Sequence, residues 1–307
     1  MPRLSAFRLG LRTVGAVFLA ALLAVPLSAK DVVVASFNLE NYLRMERKVD
    51  GKMVADAPKP EEEIAAVIET LQEIKPDILG VVEMGDGAML DDFQSRLKAA
   101  GLDYPHRERV EGADPVRHIA LLSRFPIVAR NSRGDVPFEL NGTQQRMSRG
   151  ILDVTVQLAD HFRLHLIGAH LKSKRQVPEF DEKTMRAKEA SLLKEHLDNI
   201  LKSSPREKLM LFGDLNDTKN EYPVRELVGP PGSPGHMKDL FLTDRYGYHW
   251  THFWSAADIY SRIDYLLVSR GLSPEINMDR SGISSFRRWY KASDHRAIYA
   301  TVVVPES

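Results

Sequence analysis

Asp214 and Asn216 stand directly beyond the apolar run Leu209-Met210-Leu211-Phe212-Gly213. A carboxylate can hold a metal ion or take a proton, and a neutral amide can donate to a phosphate oxygen. Two residues apart in extended chain, the two side chains project from one side. A short apolar run closed by a turn signal reads as a buried strand. Gly213 allows the backbone a tight course there. A carboxylate and an amide at the mouth of a buried strand suit metal-assisted phosphoester hydrolysis. Taken alone, G-D-x-N reads better as an Asx-type turn, so the other strand ends decide.

Those ends carry the same kind of group. Asn38 and Glu40 follow a β-branched strand over 31–37. Glu83 follows an apolar strand over 78–82, and His170 follows one over 162–169. Arg262 and Asp264 open a strand over 263–268, and Ser293-Asp294-His295 lead into one over 297–304. Each group alone reads as a solvated polar residue. Together they fall where side chains distant in sequence can converge.

The elements that must position them are legible in outline. A helix is expected after Pro60, with Glu61 to Glu63 at its positive end, Ile64, Val67, Ile68 and Leu71 as its apolar stripe, and Pro76 as its stop. A second is expected over 90–100, capped by Gly101. A long third spans 184–201 with Ala187, Ala190, Leu193, Leu197 and Ile200 inside. Strands are expected at 118–123 and 127–130, and a hairpin at 150–158 and 162–169. Residues 43–59 and 229–236 read as surface loops. Some strands are joined by helices and others by tight turns, so mixed sheets are expected.

The chain has 307 residues, 43% hydrophobic and 27% charged, which is ordinary for a soluble globular protein. It has no cysteine, which removes disulfides, thiolate metal sites and cysteine nucleophiles. A metal would be held by carboxylate, amide or imidazole, and oxygen-rich sets favour magnesium, manganese or calcium. Arg3, Arg8 and Arg12, an apolar stretch over 14–27 and Leu27-Ser28-Ala29 have the layout of a secretory leader cleaved after Ala29. Residues 1–29 are therefore expected to be a signal peptide and 30–307 one domain, exported to the periplasm or the medium without stable membrane insertion. Beyond the leader, 39 basic residues face 42 acidic ones. Binding to a polyanion would then need a local patch or a metal.

Six stretches fall in one order: Phe37-Asn38-Leu39-Glu40-Asn41, Val81-Val82-Glu83-Met84, Gly168-Ala169-His170-Leu171-Lys172-Ser173, Gly213-Asp214-Leu215-Asn216, Arg262-Ile263-Asp264-Tyr265 and Ser293-Asp294-His295. In these the chain resembles the endonuclease/exonuclease/phosphatase (DNase-I-like) superfamily, and its words are similar to those of secreted bacterial nucleases. The resemblance implies a four-layered α/β/β/α sandwich of two mixed sheets with outer helices. It implies Glu83 as principal ligand for Mg²⁺ or Mn²⁺, with Asn38, Glu40 and Asp294 beside it. Asp214 would orient or deprotonate the attacking water, and Asn216 would hold a phosphate oxygen. His295 would bind the scissile phosphate with Asp264 as its partner. His170 would contact the phosphate or protonate the leaving oxygen.

The function expected is a monomeric, metal-dependent phosphodiesterase, with nucleic acid the favoured substrate. A phosphatase or a lipid phosphodiesterase is the alternative, and a non-catalytic binding module ranks lower. Lys172 and its neighbours Lys174 and Arg175 read as a solvated turn or a phosphate contact, and Arg146 and Arg149 as a phosphate contact or a surface pair. Asp264 has a second reading as a strand-edge partner of Arg262. His249, Trp250, His252, Phe253 and Trp254 read as core before they read as a stacking surface.

Overall fold

A computed structural model describes residues 29–176 and 180–306. The expected leader lies outside these residues apart from Ala29. Two six-stranded sheets form the centre. The first runs, edge to edge, Ile276–Ile283, Ile298–Val304, Lys30–Tyr42, Ile78–Met84, His118–Ser123 and His106–Val110. The second runs Met237–Asp239, Asp264–Ser269, Leu209–Asp214, Phe162–His170, Leu152–Ala159 and Ile127–Arg130. In each sheet the two middle strands are parallel and the remaining pairs antiparallel. The last strand lies against the first, Lys30 opposite Val304 and Ser36 opposite Ile298.

A parallel pair needs a crossover, and each has a helix in it. Glu61–Ile74 lies between the two middle strands of the first sheet and Glu182–Ser203 between those of the second. The first helix carries three glutamates in its opening turn and ends at Lys75, φ +53°, just before Pro76. The second is capped by the Asp181 side chain, which accepts from the Thr184 amide at 2.8 Å. Gly87–Ala99 joins Glu61–Ile74 outside the first sheet.

Alternation divides the strands between layers. Val32 and Val34, Leu164 and Leu166, Met210 and Phe212, and Leu266 and Val268 pack between the sheets. Ala35 and Phe37 face the helices of the first sheet, and Leu209, Leu211 and Leu267 face Glu182–Ser203 and its neighbours. The result is the four-layered α/β/β/α sandwich expected. The sheets close tightly where the Phe212 ring crosses to Gly80, at which a Cβ would stand 2.1 Å from that ring.

Two local readings change, and two edge strands appear that the sequence did not mark. Residues 43–59 contain a hairpin, Met45–Val49 with Lys52–Ala57, turned by Asp50 and Gly51 at positive φ. Its strands are exposed and charged, so hydrophobic alternation hides it, although Asp-Gly is a hairpin signal. The two edge strands of the first sheet, His106–Val110 and Ile276–Ile283, are polar for the same reason. The strand before Asp214 does not stop at Gly213. It runs through to Asp214, with Gly213 at φ +136° and the Ala169 carbonyl oxygen where a Cβ would lie.

Candidate active site

Parity along the strands places the site. Asn38 continues the inward row of Val32 and Val34, His170 that of Leu164 and Leu166, Asp214 that of Met210 and Phe212, and Asp264 that of Leu266 and Val268. The parallel pairs present their carboxyl ends at one rim. The antiparallel neighbours present their starts there, so Asp264 and the residues leading into Ile298–Val304 arrive at the same place. Four of the eight described non-glycine residues at positive φ are here: Glu40, Asn41, Glu83 and Asn216. At Glu83 the kink absorbs an extra residue, since Val81 and Met84, three apart, both face the helices. Such backbone costs about 1–3 kcal/mol per residue and persists only where surrounding structure fixes it.

Asn38 is the hub. Its Nδ2 donates to Asp214 Oδ2 at 3.1 Å and to Glu83 Oε1 at 3.5 Å, and lies 3.4 Å from His295 Nε2. The second Glu83 oxygen accepts from the Asn41 amide at 2.9 Å. Asp264 Oδ2 lies 2.8 Å from His295 Nδ1, while His295 Nε2 is 3.8 Å from Asp214 and 3.9 Å from Asp294. His170 Nε2 is 3.7 Å from Asp214 and 4.0 Å from Glu83. The Ser293 hydroxyl donates to the Asn38 carbonyl, and the Asp294 amide donates to Glu40, which ties the last loop to the first strand. Asp264 pairs with His295 and not with Arg262, which pairs with Asp239.

Burial and neighbouring charge set the proton affinities. Burial, then the Asp264 carboxylate, push Asp214 upward. Burial alone would lower His295, but Asp264, with Asp214 and Asp294 behind it, holds it well above the ordinary histidine range. Burial, then Arg149 and His295, push His170 well below that range, which favours its neutral form. Burial, then Asp294, raise Glu40, with Lys59 opposing. Among the described residues, two groups of ligand atoms lie close enough to share a cation: Asp214, Asp264 and His295, and His252, Asp294 and His295.

Asn216 sits at the rim, where its amide donates to the Leu171 carbonyl at 3.0 Å and its backbone N–H to Asp214. Arg149 is buried near His170; it pairs with Asp114 through one nitrogen, and Nε and Nη1 have no partner among the described residues. Lys172 is buried too, and its ammonium donates to the Arg175 carbonyl. Arg146 lies apart, in an exposed pair with Asp135, which is the surface reading of that residue.

Three residues that sequence reasoning left out belong to the cluster. The His252 ring lies 4.7 Å from that of His295, tilted to it, and its Nε2 is 3.8 Å from Asp294. Arg117 donates to Asn41 and stands 4.0 Å from Glu83. Lys59, buried, donates to the Glu40 carbonyl. Only His252 left a trace in sequence, as a histidine inside an aromatic run read as core.

No curated protein sequence matches the chain. Among solved structures, the catalytic domain of human nocturnin with a bound sulfate anion is 17% identical, with a TM-score of 0.59 over 88% of this chain and 93% of that one. Truncated TDP2 from Caenorhabditis elegans is 17% identical, with a TM-score of 0.58 over 89% and 98%. Sphingomyelinase C from Streptomyces griseocarneus is 18% identical, with a TM-score of 0.54 over 89% and 99%. At such identities the likeness is one of fold. The sequence model described as Endonuclease/Exonuclease/phosphatase family matches residues 35–295, a span that takes in every strand end described above. With that match and this architecture, the chain belongs to the endonuclease/exonuclease/phosphatase family and has its phosphoesterase fold.

Proposed function

We propose that the protein is an exported, metal-dependent phosphodiesterase that acts on nucleic acid. The observation that carries the reading is the meeting of Glu83, Asp214 and the Asp264–His295 pair around one amide, Asn38. The donor set fits a hard divalent cation such as Mg²⁺ or Mn²⁺. It is rich in oxygen, and it gathers carboxylates; burial, then the neighbouring Asp264 carboxylate, raises Asp214. Glu83 would be the principal ligand, with Asn38, Glu40 and Asp294 nearby. Bound there, a cation would neutralise charge on the phosphate and on the leaving oxygen.

This chain's own residues do the rest. Asp214, raised toward neutrality, orients the attacking water and takes its proton. His295, kept cationic by Asp264, donates from Nε2 to a non-bridging oxygen. Neutral His170 donates a hydrogen bond to the phosphate and does not serve as a proton source. Arg149 has two buried guanidinium nitrogens that a phosphate oxygen would satisfy. Asn216 gives one of its two amide N–H donors to the Leu171 carbonyl, and the other is free to meet a phosphate oxygen. The leader-like start supports export, and among the described residues no helix is long and apolar enough to cross a membrane.

The test is turnover of plasmid DNA, RNA, bis-p-nitrophenyl phosphate and dispersed sphingomyelin, each with Mg²⁺ and with chelator. We expect Mg²⁺-dependent cleavage of nucleic acid, lost in Asp214→Ala, with affinity that falls steeply as salt rises. Cleavage of sphingomyelin alone would overturn the nucleic-acid assignment.

A further inference from the structure

Beside the cluster lies a cleft of about 620 Å³ with an aromatic lining. Trp250 is its hub, edge-on to Tyr260 and to Trp289 at 4.9 Å each. Tyr260 stacks one face on Phe253 at 4.4 Å, and Tyr248 completes the wall. Tyr260 is 52% exposed and Tyr248 59%, so each ring keeps open surface. The cleft has one carboxylate, Asp244, and it is neutralised by buried Arg296 at 2.8 Å. Two further cations, Arg245 and Arg287, line it, and neither pairs with a carboxylate among the described residues. Open aromatic faces with uncompensated guanidinium groups suit a neutral planar ring joined to an anionic phosphate. An aliphatic lipid chain would gain nothing from the arginines.

The cleft is built on the same elements as the cluster. The hairpin His252–Trp254 with Ile259–Ser261 bridges to His295 through His252, and its second strand carries Tyr260. Trp250 precedes His252 by two residues, roughly 7 Å at extended-chain spacing. Trp289 opens the turn that leads into Ser293-Asp294-His295. The cleft therefore shares its segments with the cluster: Arg296, in its wall, directly follows His295.

We propose that this cleft is a nucleobase subsite: the base flanking the scissile phosphate stacks on Tyr260 and Tyr248, and the next phosphate along the strand meets Arg245 and Arg287. This rests on the nucleic-acid reading above and deepens it. Stacking one base needs an unpaired strand, so the subsite selects single-stranded or frayed ends over intact duplex.

The test has two arms. In the first, KM and kcat are measured on a single-stranded oligonucleotide and on the same strand with an abasic residue beside the cleaved bond, for wild type, Tyr260→Ala, Tyr260→Phe and Arg287→Ala. Tyr260→Ala should raise KM on the intact strand by roughly ten- to hundredfold, the scale of one stacked base. It should change little on the abasic strand, and Tyr260→Phe should behave as wild type. In the second, tryptophan fluorescence is titrated in chelator, where nothing is cleaved, with the oligonucleotide and with sphingomyelin vesicles. Saturable quenching by the oligonucleotide, weakened in Tyr260→Ala, supports the subsite. Equal effects of Tyr260→Ala on both strands, or quenching by vesicles and not by the oligonucleotide, would overturn it. If wild type cleaves no nucleic acid, the functional reading fails, and the second arm still judges the cleft.

Discussion

Asp264→Asn removes one charge and little else, which makes it the sharpest probe of how His295 is held. The carboxylate lies 2.8 Å from Nδ1, and the two residues are 4% and 5% exposed. Unit charges about 4 Å apart attract by about 4 kcal/mol at an effective dielectric of about 20, which is the ceiling for the loss. Asparagine keeps the shape and can still accept from Nδ1–H. A charge-assisted bond worth about 1.5–3 kcal/mol then becomes a neutral one worth about 0.5–1.5, which is the floor. Between these limits we expect kcat to fall about a hundredfold, at about 1.4 kcal/mol per decade, with KM changed far less. The assay is steady-state hydrolysis of bis-p-nitrophenyl phosphate at saturating Mg²⁺, with circular dichroism to show an intact fold. Since Asp264 is argued to act through His295, the double variant with His295→Ala should be no slower than His295→Ala alone, to within about threefold. Losses that multiply in the double variant, or an Asp264→Asn protein with more than a third of wild-type kcat, would refute the reasoning.

Three further outcomes are expected. Mg²⁺ at about a hundred times its dissociation constant should add about 2.7 kcal/mol of stability to wild type, seen as a higher Tm, and Glu83→Ala should abolish the rise; a rise kept in Glu83→Ala would remove Glu83 from the ligands. Gly213→Ala puts a methyl 1.9 Å from the Ala169 carbonyl oxygen at φ +136°. It should cost about 3 kcal/mol or more in urea unfolding, and an unchanged midpoint would show that the strands part easily there. Away from the site, Asp153 binds His165 and His196 at 2.8 Å each. Burial alone would raise Asp153, but the two imidazoles hold it well below the usual range. Burial alone would lower His165, but Asp153 holds it above. The raised histidine stabilises fully below its unfolded value near 6.5 and loses that as pH rises through its folded value. The depressed aspartate stabilises above about 3.9 and loses that as pH falls. Asp153→Asn should therefore cost most near pH 6, about 2 kcal/mol, and less at pH 9; equal Tm offsets at the two pH values would contradict the network.

What could be read from sequence followed from a two-residue period. A side chain just past an apolar run inherits the parity of that run, so Asn38, His170, Asp214 and Asp264 are marked as inward-facing before any packing is known. The helices were marked by their stripes and stops, with Pro76 and Gly101 at their ends. Glu83 breaks parity through a left-handed backbone residue, which no propensity reveals. Arg117 and Lys59 enter through contacts with main-chain and amide groups far away in sequence, and nothing local distinguishes them from solvated cations. His252 depends on a three-residue hairpin strand meeting His295. That pairing is a property of the tertiary fold, and in sequence it shows only as an aromatic cluster.

The pairing of residues 30–36 with 304–298 has a bearing on synthesis. A ribosome delivers Asn38 well before His295. Until residues 298–304 emerge, the strand that ends in the hub amide lacks one of its two neighbours and offers an open hydrogen-bonding edge. Any nascent fragment that stops short of residues 298–304 thus lacks the strand that brings His295 to Asn38.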